Sequence, residues 1–83
     1  MKFGLFHSVQ LPDPTREKLY YEEALDQVLW AEQLGYESVW FTEHHFSRHG
    51  IVSATFSVLS YLAAKTTTIR LGTAVTVLPF HNP

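Results

Sequence analysis

The stretch VWFTEHHF, Val39 to Phe46, carries an apolar run straight into a carboxylate and two adjacent imidazoles, Glu43, His44 and His45. Imidazole is the side chain whose ordinary pKa lies nearest neutrality, so it donates or accepts a proton with little tuning. A carboxylate beside it can orient the ring or raise its basicity. The competing reading is a polar loop in which the histidines only satisfy backbone groups. A metal site is a third option, since His45 and His49 are four apart and would share a helix face. However, Phe46 to Gly50 reads as a loop and no His-Glu-x-x-His pattern is present, so no metal ligand is assigned.

Other polar residues carry weaker signals. His7 stands alone near the end of an apolar segment, either hydrogen-bonded at a strand end or facing a pocket. Arg48 reads as a solvated loop charge or as an anion contact. Tyr20 and Tyr21 read as part of a helix face, and Phe3, Phe6, Trp40 and Phe41 as core.

These residues have to be positioned by regular elements. KFGLFHSV is short and apolar enough for a strand, and QLPDPT breaks it with two prolines. Thr15 is a candidate N-cap, with Glu17 in the first helical turn. Tyr21, Ala24, Leu25, Val28, Ala31 and Leu34 then recur at steps of three and four, the stripe of an amphipathic helix. Gly35 follows where a left-handed C-cap is expected.

YESVWFTE is a second strand, apolar at Val39, Trp40 and Phe41 in succession, which suggests burial on both faces. Ser53 is expected to cap a second helix with Phe56, Leu59, Leu62 and Ala63 inward. TTTIRLGTAVTVLP reads as a third strand ended by Pro79.

Strand–helix–strand–helix–strand is the order of a parallel α/β sheet with right-handed crossovers. A doubly wound nucleotide-binding sheet would place a glycine-rich turn after the first strand, and SVQLPDPT has no glycine. The expected fold is therefore the first three βα units of a (β/α)8 TIM barrel. Such barrels take roughly 250 residues. Residues 1–83 are accordingly expected to be the N-terminal portion of one barrel domain, incomplete in this chain. In such sheets ligands bind outside the carboxyl ends of the strands. His7, Glu43, His44 and His45 all fall at those ends.

Composition narrows the classes further. The apolar fraction of 46% is that of a packed protein, and the absence of cysteine excludes disulfides and thiolate zinc sites. The net charge of -2, with basic residues scattered, argues against a nucleic-acid partner. No apolar run approaches the ~20 residues that span a bilayer. A cytoplasmic protein is the expectation.

MKFGLF, GYESVWFTEHHF and LGTAVTVLPFHNP, in this order and at these separations, resemble the bacterial luciferase-like monooxygenase family. The resemblance covers the whole chain. It implies a flavin-dependent barrel in which reduced FMN and molecular oxygen act on a small organic substrate, and a flavin reductase that supplies the reduced cofactor. It implies His44 as the catalytic acid/base against the flavin. Glu43 and His45 would line or support the same pocket, and Ala74–Val75 would form a non-proline cis peptide against the ring. A homodimer is the implied assembly. Relatives that use a deazaflavin for hydride transfer are the alternative, as is a non-catalytic subunit or fragment.

Overall fold

The computed structural model describes residues 1–82. Its elements run β1 (Gly4–His7), a 3₁₀ turn (Pro14–Arg16), α1 (Glu17–Gln33), β2 (Ser38–Phe41), α2 (Thr55–Lys65), β3 (Arg70–Thr73) and a second 3₁₀ turn (Leu78–Phe80). The three strands form one parallel sheet in the order β1-β2-β3. Leu5, Val39 and Leu71 share one register row, and His7, Phe41 and Thr73 the next row on the same face.

One face of this sheet carries the core. Val39 and Phe41 pack with Ala24, Val28 and Ala31 of α1, Leu59 and Leu62 of α2, and the loop residues Val9, Val52 and Ile69. The opposite face is open, contrary to the expectation of a strand buried on both sides. Trp40 is 44% exposed and Phe6 66% exposed. Phe3 is exposed as well, so of the four aromatics read as core only Phe41 is buried. The cause is the two-residue alternation of strand side chains: both helices cover the Val39 side, and no described element covers the other. On that open face the Trp40 indole lies across Gly72, where a Cβ would stand 2.5 Å from the ring. The indole N–H donates to Ser38 Oγ at 3.0 Å.

Several local expectations are corrected. Asp13, not Thr15, caps the first turn: its carboxylate accepts from Thr15 N–H at 3.0 Å and from Thr15 Oγ1 at 2.7 Å. Pro14 at the first helical position supplies the fixed φ that makes this start favourable. Gly35 does adopt the left-handed conformation, with φ 88°. Leu34 is 65% exposed and leaves the buried stripe because the helix has ended at Gln33. Ser53 makes no cap bond to α2, and the buried positions there are Thr55, Leu59 and Leu62 while Phe56 and Ala63 face out. The third strand stops at Thr73 rather than at Pro79.

The approach to β3 is held by one carboxylate. Glu32 Oε2, near the end of α1, accepts the successive backbone N–H groups of Thr67, Thr68 and Ile69 at 2.9, 2.9 and 3.0 Å. Those donors hold its pKa below the ordinary value of 4.5. A depressed carboxyl stabilises the fold above its unfolded pKa, and that stabilisation is lost as pH falls through the folded one. Glu32→Gln is therefore expected to be less stable than wild type at pH 7. The gap should narrow as pH drops below about 4.5, as read from urea unfolding midpoints across pH.

No helix among the described residues is long and apolar enough to cross a membrane.

Candidate functional site

Beyond the strands the chain folds back on itself and gathers the loops at one edge of the sheet. Thr42 N–H donates to His7 O at 3.1 Å, and Ala74 N–H to Phe41 O at 2.8 Å. His44 N–H reaches Val52 O at 2.9 Å and Ile51 N–H reaches Val9 O at 2.8 Å, so the segment after β2 is a closed loop joined to the segment after β1. Tyr21 of α1 adds a hydroxyl bond to Ile51 O at 2.9 Å. Arg48 donates its guanidinium to the carbonyls of Leu11 and Pro12. Arg48 is an exposed loop charge, as one reading had it, and it also clasps the two loops together.

Glu43 is the centre of this arrangement. The residue is 6% exposed and its side chain is wholly buried. Oε2 accepts from His45 Nε2 at 2.7 Å and Oε1 from His81 Nε2 at 2.7 Å. Burial alone would raise its pKa. Hydrogen bonds from His45 and His81 outweigh that and hold it below the ordinary carboxylate value. The buried carboxyl is thus an anion surrounded by donors. Phe80 flanks the cluster, its ring 4.5 Å from that of His45.

His44 takes a different course. The residue is exposed and its ring lies against Gly50, where a Cβ would collide with the imidazole. It lines an open cleft of about 430 Å³ together with Glu17, His45, Phe46, Ile51 and Ser53. Phe46 turns the loop in the left-handed region, φ 56°, and its side chain is fully exposed. Glu43 therefore engages His45, while no hydrogen bond engages the His44 ring among the described residues.

The Ala74–Val75 peptide bond is cis and sits where β3 ends, with Val75 exposed. The Thr76 hydroxyl beside it is buried without a hydrogen-bond partner among the described residues. His7 is half-buried, stacked on Phe41 at 5.2 Å, and burial lowers its pKa. Its Nε2 is unpartnered among the described residues, so the ring is packed rather than hydrogen-bonded. The structure thus brings Glu43 and His45 into direct contact, sets His44 on the adjoining cleft, and places Ala74 and Val75 at the end of the neighbouring strand. It adds His81 and Phe80, which sequence reasoning missed. Their signal was positional, since LPFHNP follows the third strand and so falls at the same edge as Glu43. Among the described residues no group of three or more His, Asp or Glu side chains is arranged to hold a metal ion.

The parallel α/β unit thus carries a buried carboxylate and four histidines, His7, His44, His45 and His81, around its strand carboxyl ends. Along residues 1–83 the chain matches the sequence model described as luciferase-like monooxygenase, and it belongs to that family. It is 40% identical to a luciferase-like monooxygenase of Escherichia coli K12 over 82 residues, which is 98% of this chain and 24% of that protein. It is 36% identical to the 4-hydroxyprotoasukamycin monooxygenase of Streptomyces nodosus subsp. asukaensis, covering 100% of this chain and 22% of that one. The oxygenase component of the flavin-dependent trigonelline monooxygenase of Acinetobacter baylyi is 34% identical, with 100% and 23% covered. The chain thus spans about a quarter of the length of these curated relatives.

Proposed function

We propose that residues 1–83 are the first three βα units of a (β/α)8 barrel, and that the full protein is a monooxygenase using reduced FMN and O2 on a small organic substrate. The observation that carries this reading is the exposed His44 imidazole on a cleft beside the buried Glu43 cluster, at the strand carboxyl ends of a luciferase-like chain. The name of the Acinetobacter relative, a flavin-dependent oxygenase component, supports a flavin and a separate reductase that delivers it.

The residues present fit one wall of a flavin site. Phe6 and Trp40 offer an open apolar sheet face, Val75 is exposed at the strand end, and the Thr76 hydroxyl is buried and unpartnered among the described residues. A bound reduced flavin supplies the electrons that activate oxygen. His44 holds or moves a proton at its ring nitrogen, Glu43 and His45 fix the wall beside it, and Ala74 and Val75 shape the floor. The assembly we propose is a cytoplasmic homodimer.

Anaerobic titration of the full protein with dithionite-reduced FMN and with reduced deazaflavin tests the reading. Preferential binding of FMN is expected, and binding of the deazaflavin alone would overturn it.

A further inference from the structure

We propose that Glu43 is a positioning residue that sets the tautomers of His45 and His81 together, both rings carrying their hydrogen on Nε2 and keeping Nδ1 as an open acceptor. The side chain of Glu43 is wholly buried, and its two oxygens are divided between the rings, each 2.7 Å from an Nε2. An ionised carboxylate has only lone pairs to offer, so each of those nitrogens has to bring the hydrogen. A neutral imidazole has one N–H to give. Once it is committed to Glu43, Nδ1 is bare. No hydrogen bond engages either Nδ1 among the described residues.

The consequence reaches the cleft. His45 lines it, and the only hydrogen bond its ring has left to make is as an acceptor at Nδ1. With the ring neutral, a ligand group that pairs with His45 is then a donor, such as an imide or amide N–H or a hydroxyl, and not a carbonyl or a carboxylate. His81 is bound to Glu43 across 38 residues of sequence, so one carboxylate decides the proton positions on loops that follow two different strands. The meaning of this for catalysis rests on the site reading above. Its test is spectroscopic and succeeds or fails apart from turnover and flavin binding.

The experiment is long-range 1H–15N correlation of the imidazoles in the full protein labelled with 15N-histidine. It is run at about pH 9, where an imidazole of ordinary pKa is neutral. His45→Gln and His81→Gln assign the two rings. In the wild type both are expected as the Nε2–H tautomer. A ring on Nδ1–H alone, or protonated at both nitrogens, overturns the proposal. In Glu43→Gln the carboxamide offers one accepting oxygen and one donating nitrogen. One of the two rings then has to accept at Nε2, and its conversion to Nδ1–H is expected. Two unchanged rings in that variant would overturn the assignment. In His81→Gln the carboxylate still accepts from His45, so His45 stays Nε2–H, and a switch there also overturns it.

Discussion

His44→Ala in the full protein is expected to lower turnover by about 100- to 10,000-fold, the usual contribution of a positioned acid or base. The expectation follows from the exposure of the ring on the cleft, with Gly50 at its back and no carboxylate partner among the described residues. Because the residue is exposed, its removal leaves no buried group unpaired. The urea unfolding midpoint should therefore stay near that of the wild type, and binding of reduced FMN should change little. Single-turnover measurement separates chemistry from release. Turnover unchanged from the wild type would remove the acid/base role and leave His44 as a wall.

Phe41→Ala has the largest expected effect on stability, about 3–5 kcal/mol in urea unfolding of the full protein. Phe41 is 1% exposed and sits in the middle strand, in register with His7 on one side and Thr73 on the other. Its ring stacks on His7, and its carbonyl accepts from Ala74 N–H. Truncation removes apolar contact from the core and opens a cavity under the residues that precede the site. Phe41→Leu keeps most of the volume and should cost much less, under about 1.5 kcal/mol if the site repacks. A Phe41→Ala loss as small as that of Phe41→Leu would mean that the core closes over the gap.

The parts of this fold that could be read from the sequence are those governed by local rules. Helical spacing from Tyr21 to Ala31 and a glycine at the left-handed position fix α1 and its end without any tertiary information. The order of elements then implies a parallel sheet, and with it the edge where ligands meet polar groups. Glu43 and its two histidines could be placed on that basis alone.

What could not be read depends on packing across the chain. Which of His44 and His45 turns toward Glu43 is decided by an irregular loop backbone, whose side chains follow no period. His81 lies 38 residues from the carboxylate it pairs with, and nothing local marks it. The open side of the sheet was also hidden. Val39, Trp40 and Phe41 read alike as apolar, and only the placement of both helices on one side tells them apart. The cap at Asp13 was overlooked for a smaller reason, because Thr15 sits two residues later and itself donates to that carboxylate.

Trp40 and Gly72 constrain each other on the open sheet face. The indole occupies the volume that any side chain at 72 would need, and it is steadied from the other end by the Ser38 hydroxyl. A lineage that first acquires a side chain at 72 must displace the indole. A lineage that first reduces residue 40 gains the freedom to fill 72 afterwards. The order of substitution therefore matters on this face, and descendants of such a chain should exchange the two residues together.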